Sequence, residues 1–444
     1  MHRAAVQKVT LISGVLALVL ALLAGAPGMA AVEAASVRVF TYPREWEIAR
    51  VDAATAHFRA RHPDVQVDVH AGWLVDLDVA VAGGLAPDVI IADYASIPGM
   101  VGHNYLMPVD TFLERDSEIN LNTFLPTVIG LLSWQGRPAG LPINMSVLGL
   151  LYNMELFDER GVPYPDESWT WEHYVREGQK LTGDTNGDGE VDRFAIDLRW
   201  SNHSFWPAIV FQSGGRIWND DYTRLLINSP EVARALQFLS ELVSVHHVSP
   251  RYQGGSILER ELNSFAPGGL FDNRRAAMTW GGNTLVRDPG YQQRLSIGMT
   301  RLPQGPGARA SLVNGDFIGM YRHTQVPELA WDFMKSVAIT SAERHLMGEE
   351  PLLPVTQVGI LAKLSLPQYA TLPVEAMFRA NADGRPNPVF HPVTRGVHDW
   401  GWSVMDSEFF TGEQIDVRSY LENLQRSLQA EVDEAIARGA KWSW

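Results

Sequence analysis

The segment from Ser36 to Asp93 alternates short β-branched runs with helical ones, and that order admits few folds. "SVRVFTY" (36–42) reads as a strand. Ile48, Val51, Thr55 and Phe58 then recur on one helical face, and Pro63 follows that helix. "VQVDVH" alternates Val65, Val67 and Val69 as a second strand, and a second helix leads into "GGLAPDVIIADY", a buried strand ending at Asp93. A β-α-β-α-β order predicts a parallel sheet with right-handed crossovers. Ligands of such α/β sheets collect beyond the C-terminal ends of the strands. The residues just past those ends are Tyr42 and Trp46, then Trp73, then Asp93.

The first 34 residues stand outside this pattern. His2, Arg3 and Lys8 make a basic start, "VTLISGVLALVLALLAGA" follows, and small residues crowd "GMAAVEAA". This reads as a secretory signal peptide with cleavage after Ala30 or Ala34, the apolar run being short for a full membrane span. No later run approaches a spanning length, so the remainder is expected to be soluble and periplasmic or extracellular. There is no cysteine. A disulfide scaffold, a thiolate metal site and a lipid anchor on Cys are thereby excluded. A net charge of −15 disfavours nucleic acid and anionic membranes as partners. A chain of 444 residues predicts two domains rather than one core.

Further along, "SWQGRPAGLPIN" reads as a hairpin and "VLGLLYN" as a strand. A helix starts near Thr170, a fair N-cap, with Glu172 in its first turn. Helical stretches recur at 230–245, 327–347 and 414–438, the last with Ile415, Tyr420, Leu424, Leu428, Val432 and Ile436 on one face. "RANADGRPNPVFHP" is the most linker-like stretch. "DTNGDGEVD" (184–192) resembles a calcium loop: Asp184, Asn186 and Asp188 alternate, Gly189 permits the turn, Glu190 offers its carbonyl, and Asp192 follows. The twelfth position is Ala195, so the usual bidentate carboxylate is missing there. The same residues would also make a plain turn between helix and strand without metal. No cofactor is required by the sequence, and a structural Ca²⁺ at this loop is one of these two readings.

Catalytic signatures are absent: there is no GxSxG, GxxxxGK[ST], GxGxxG or HExxH. His246-His247 reads as structural or solvated. The 14 Trp are a more informative signal. "DLRWSNHSFWPA" groups Trp200, Asn202 and Trp206, "MTWGGNT" places Trp280 near Asn283, and "HDWGWS" contains Trp400 and Trp402. Aromatic rings cover the flat C–H faces of a sugar, while amides and carboxylates take its hydroxyls. For any one Trp the core is the commoner place.

In order along the chain, "FRARHPDVQVDV", "AGGLAPDVIIAD", "GRPAGLPINMSVLGLLYNMELFDERGV", "TWEHYVREGQKLTGDTNGDGEVDRFAI", "AAMTWGGN", "GDFIGMY" and "ELAWDFMKSV" resemble landmarks of the extracellular solute-binding proteins of ABC importers, the family that includes maltodextrin-binding proteins. The resemblance covers nearly the whole chain after residue 34. It implies an α/β fold of two lobes with a ligand cleft between them, the first at 36–145 plus 296–340, the second at 146–295 plus 341–444. By the resemblance Tyr42, Trp46, Trp73 and Asp93 line the cleft from the first lobe. Asn144 lies near the hinge, and Trp200, Asn202, Trp206, Trp280 and Asn283 face the cleft from the second lobe. Asn314 and Asp316 stand at the return crossing, while Trp400 and Trp402 fall in a region that aligns with no landmark. The implied function is capture of a carbohydrate by cleft closure, without catalysis, by a monomer that delivers it to the membrane permease. The same fold with a glycerol-phosphate-type or polyamine ligand is a first alternative. A secreted glycan-active enzyme using Asp93 and Asp316 is a second. The cleft residues named above include no Arg or Lys, whereas a phosphate ligand would favour one.

Overall fold

The computed structural model describes residues 35–197, 202–251, 269–282, 285, 289–369, 372–386, 415–439 and 444. The expected signal peptide and Trp200, Asn283, Trp400 and Trp402 lie outside the described residues. Among the described residues no helix is long and apolar enough to cross a membrane.

The chain opens as its alternation predicts. Strand β1 (Ser36–Thr41), helix α1 (Glu45–Arg61), β2 (Gln66–Ala71), α2 (Leu74–Ala82) and β3 (Val89–Asp93) follow in turn. β1 lies between β2 and β3 and is parallel to both. Its side chains alternate between two apolar layers: Val37 and Val39 pack with Val51 and Phe58, and Phe40 packs on the opposite face. β2 is the edge strand and is largely exposed. Ile48 departs from its expected place; it is exposed, while Ala54 completes the buried face of α1.

Two short strands, β4 (Leu106–Met107) and β5 (Leu141–Pro142), finish the first pass. The expected hairpin joins Ser133–Trp134 to Arg137–Pro138, turning through Gln135 and Gly136, both at positive φ. The chain then crosses at β6 (Ser146–Val147) and enters a second sheet. That sheet comprises β7 (Gly149–Asn153), β8 (Phe194–Asp197), β9 (Ala276–Gly281) and β10 (Ile297–Thr300), in the order β8-β9-β7-β10. Helices α3 (Trp171–Leu181), α4 (Asn202–Gln212) and α5 (Pro230–Ser244) belong to it. Trp171 of α3 stacks on Phe238 of α5 at 4.1 Å and donates its indole N–H to Gln212 of α4 at 2.7 Å. These two contacts lock the three helices together.

The return crossing runs through β11 (Ser311–Asn314) into β12 (Asp316–Tyr321). β12 is antiparallel to β3 and closes the first sheet, with Asp316 opposite Asp93. Helix α6 (Pro327–Met347) then covers that sheet beside α1, with Trp331, Phe333, Met334 and Val337 in the shared core. A third crossing at 350–356 leads to α7 (Gln357–Leu364). β13 (Gly384–Arg385) extends the small β6-β11 sheet, and α8 (Val417–Ala437) completes the described chain. On α8 the buried face is Val417, Leu421, Leu428 and Val432, whereas Ile436 is exposed.

Two lobe boundaries need correction. Residues 297–300 were expected in the first lobe, but β10 pairs with β7 in the second sheet. The boundary at 340 would cut α6, which runs unbroken to Met347 and ends on Gly348 in the left-handed region. The first lobe's second segment is therefore about 311–347. A single sequence blurs this boundary because β10 and β12 are both short apolar strands.

The three crossings lie side by side. Met145 and Leu353 exchange two backbone hydrogen bonds of 2.9 Å, and the Ile143 N–H donates to the Asp316 carbonyl at 2.9 Å. Gly315 sits between them at φ +147°, where a Cβ would lie 2.3 Å from the Asn144 carbonyl oxygen. Gly315→Ala is therefore expected to lower the unfolding free energy by about 2–4 kcal/mol, from forbidden backbone plus displaced chain. Urea unfolding of the two proteins measures it, and a loss below about 0.5 kcal/mol would contradict this account.

Candidate functional site

The ends of β1, β2 and β3 bring four of the predicted residues together. Tyr42 follows β1, Trp73 caps α2 after β2, and Asp93 ends β3. The Tyr42 phenol donates to Asp93 Oδ2 at 2.7 Å, and the Tyr42 and Trp73 rings stand 5.5 Å apart. Trp73 keeps 51% of its surface exposed. Trp46, on the first turn of α1, is half-buried. Asp93 Oδ1 is buried and finds no hydrogen-bond partner among the described residues. Burial raises the Asp93 carboxyl above its usual range, against the hydrogen bond from Tyr42. An aromatic surface with one unused carboxylate oxygen beside it suits a ligand with apolar faces and hydroxyl donors.

Sequence reasoning missed the centre of this group. The Arg44 guanidinium carbon lies 4.6 Å from the Tyr42 ring centroid, 5.8 Å from Trp46 and 5.6 Å from Trp73. No cation was among the named cleft residues, and Arg44 stands among three of them. Arg44 is not a free cation, because it donates to Glu47 Oε1 at 2.9 Å. Each such ring contact contributes about 0.5–1 kcal/mol at an exposed site, so the rings and the cation hold one another in place. The available signal was the P-R-E-W run immediately after a strand end.

Beneath the rings lies a buried charge network. Glu47 is fully buried and accepts from Thr41 Oγ1 at 3.1 Å as well as from Arg44. Loss of water, reinforced by Asp316, pushes its carboxyl up to about 7 despite Arg50 and Arg44. One turn further along α1, Arg50 donates to Glu350 through Nε at 3.0 Å and Nη2 at 2.9 Å. Its Nη1 points toward Asp316 Oδ2 at 3.9 Å and makes no hydrogen bond among the described residues. Burial works against the Arg50 charge, but Glu350, Asp316 and Glu47 more than reverse that, and it remains a cation.

Asn144 and Asp316, both expected along the cleft, are hydrogen-bonded to each other. The Asn144 amide donates to Asp316 Oδ2 at 2.7 Å and its Oδ1 accepts from the Asp316 N–H at 3.0 Å. Its carbonyl accepts from the Tyr94 hydroxyl at 3.0 Å. Asn314 is half-buried on the return crossing, opposite Ser146. An acid–base pair of Asp93 and Asp316 finds no support in this arrangement, because the Asp316 carboxylate is buried, clamped by Asn144 and faced by Arg50.

In the second lobe two predicted cleft residues are corrected. Trp206 and Trp280 are fully buried in the core. Trp280 lies on β9 opposite Leu150 of β7, and its indole N–H donates to the buried Tyr174 hydroxyl at 3.1 Å. Gly-flanked Trp suggested a loop facing a ligand. Gly281 and Gly282 are instead close-packing positions, where a Cβ would meet Leu151 and Val147. Asn202 begins α4, and its side chain lies outside the described residues.

The 184–192 loop closes on itself. Asp184 Oδ1 accepts from the N–H groups of Asn186 and Gly187, and its Oδ2 accepts from Gly189. Asp188 accepts from Glu190 N–H and the Asn186 amide, and Asp192 accepts from Thr185. Among the described residues no group of three or more His, Asp or Glu is disposed to hold a metal ion. The carboxylates stabilise the turn by the local bonds that Asx residues make with backbone N–H groups.

Comparison with known proteins adds to this geometry. Residues 46–338 match the family model described as bacterial extracellular solute-binding protein. The lactose-binding protein of Rhizobium radiobacter is 22% identical over 228 residues, 49% of this chain and 51% of its own. The arabinooligosaccharide-binding protein of Halalkalibacterium halodurans is 23% identical over 261 residues, 58% of this chain and 56% of its own. The chain thus spans about half the length of the curated relatives it matches. Among solved structures, the sugar-binding protein MalE from Xanthomonas citri superposes with a TM-score of 0.70 at 18% identity, over 90% of this chain and 98% of that one.

Two outcomes test the site's electrostatics. Between pH 4.5 and about 7 the folded chain holds a proton on Glu47 that the unfolded chain has released. Stability should therefore fall as pH rises through that window. Glu47→Gln should lack that slope and gain on the order of 2 kcal/mol relative to wild type above pH 7; parallel urea-unfolding curves across pH would refute the assignment. Asp184→Ala should lower the melting temperature equally with calcium and with chelator. A calcium-dependent rise in wild-type melting temperature would favour the metal reading over the plain turn.

Proposed function

The chain belongs to the bacterial extracellular solute-binding protein family, and from that premise we propose that it captures a carbohydrate in its interlobe cleft and presents it to an ABC permease. The observation that carries this reading is the floor at the strand ends: Tyr42, Trp46 and Trp73 around Arg44, with Asp93 Oδ1 unused beside them. The rings cover apolar sugar faces, and Asp93 and Arg44 fix hydroxyls. The names of the two curated relatives and of the Xanthomonas structure point to the same ligand class.

The proposed mechanism is capture by closure. Ligand bound to the first-lobe floor draws the second lobe over it, and only the difference in affinity between closed and open forms drives the motion. No bond is made or broken. The protein acts as a monomer outside the cytoplasm, after removal of residues 1–34. Nucleic acid plays no part.

A panel of mono- and oligosaccharides, screened by thermal shift and followed by calorimetry, tests the reading. A stoichiometric ligand that raises the melting temperature without being consumed supports it. Sugar turnover, or a response to glycerol phosphates or polyamines instead, overturns it. Covering the exposed half of Trp73 contributes on the order of 2 kcal/mol, so Trp73→Ala should weaken binding by roughly 30-fold. The unliganded melting temperature should barely change, because the ring is half exposed already. Unchanged affinity would remove Trp73 from the site.

A further inference from the structure

Three chain crossings connect the lobes, and one buried side chain reaches two of them. Arg50 projects from α1, which is fixed in the first lobe by Val51, Ala54 and Phe58. Its Nε and Nη2 grip both oxygens of Glu350, at the head of the third crossing. Its Nη1 faces Asp316, where the second crossing enters β12. Asp316 in turn is clamped by Asn144 on the first crossing. Glu350 is also held from α6 by Arg344 Nε at 3.1 Å, and Lys363 of α7 donates to the Glu350 and Leu352 carbonyls. The floor is joined to this chain of contacts, because Asp316 is the cross-strand neighbour of Asp93, which takes the Tyr42 phenol.

Such an arrangement is a poor device for stability alone. A buried ion pair gains little over well-packed apolar side chains, since both charges lose their water. What it does supply is geometry: a bidentate guanidinium–carboxylate pair tolerates one relative orientation. Here that orientation fixes α1 and α6 to the head of the third crossing. Gly348 at φ +78° and Pro351 flank Glu350, so the third crossing leaves α6 through a sharp turn that the pair fixes. His345, one helical turn before Glu349, is fully buried with neither ring nitrogen hydrogen-bonded among the described residues.

We propose that Arg50 and Glu350 are positioning residues for cleft closure, a latch that sets the open–closed balance of the lobes and couples it to the cleft floor through Asp316. The inference rests on the capture-by-closure reading. Its direct readout needs no ligand.

The absence of cysteine allows site-specific labelling. Spin labels at Val79→Cys on exposed α2 and Gln179→Cys on exposed α3 report the interlobe distance by pulsed electron resonance. Glu350→Gln keeps the shape and removes the charge. It should broaden or displace the ligand-free distance distribution and weaken saccharide binding about tenfold, the expected result when the binding-competent fraction falls tenfold. The double variant Arg50→Met, Glu350→Leu restores an apolar interior, should unfold cooperatively, and should still show the altered distribution. A wild-type distribution in either folded variant, with only the melting temperature moved, makes the pair mere packing and overturns the latch. Altered distances in a protein whose wild type binds no saccharide would instead sink the carbohydrate reading and leave the latch standing.

Discussion

Arg50 carries its charge with no exposed surface, and much of the first lobe is arranged around that fact. An uncompensated guanidinium at such depth would cost several kcal/mol, so carboxylates must come to it. Glu350 arrives from 300 residues away, Asp316 from the start of β12, and Glu47 from the preceding turn of the same helix. Asp316 and Glu350 each stand where a crossing segment meets the first lobe. The requirement to neutralise one buried cation therefore fixes where three distant parts of the chain meet.

That meeting point joins two tasks usually described apart. A floor must be rigid enough to align rings and hydrogen-bond acceptors, and a hinge must be free enough to rotate. Here the floor is tied down by Tyr42, Asp93 and Arg44, and the hinge by Asn144, Asp316 and Arg50. Asp93 and Asp316 are paired neighbours on β3 and β12. Packed interiors do not deform smoothly, so a shift on one side of that pair is felt on the other.

Much of the architecture was legible because it follows from local pattern. β-branched runs alternating with amphipathic stretches led to the parallel β1–β3 sheet, and Thr170 and the 327–347 helix were read nearly to the residue. The first-lobe floor was legible for a related reason, since strand ends locate it. Two kinds of feature escaped. Trp280 and Trp206 look alike in sequence whether a ring faces a ligand or a core, and only the pairing of β9 with β7 decides the former's place. Arg50 and Glu350 are invisible because their partnership spans 300 residues. One local hint existed: Glu47 and Arg50 fall on the stripe of α1 that also buries Val51, Ala54 and Phe58. Charged residues on an apolar stripe imply buried partners elsewhere, though not which ones.

The same electrostatics bears on what the cleft can accept. Arg44 and Arg50 are the cations near the floor, and each already holds a carboxylate at about hydrogen-bond distance. Glu47, Asp93, Asp316 and Glu350 outnumber them. An anionic ligand would add a further negative charge beside these acids, and at an effective dielectric of about 20 a like charge 4 Å from an ionised carboxylate costs about 4 kcal/mol. A neutral polyol avoids that cost. It can lay its C–H faces on the exposed Trp73 ring without disturbing a single ion pair. The charge balance of the floor thus supports the proposed uncharged, hydroxyl-rich solute.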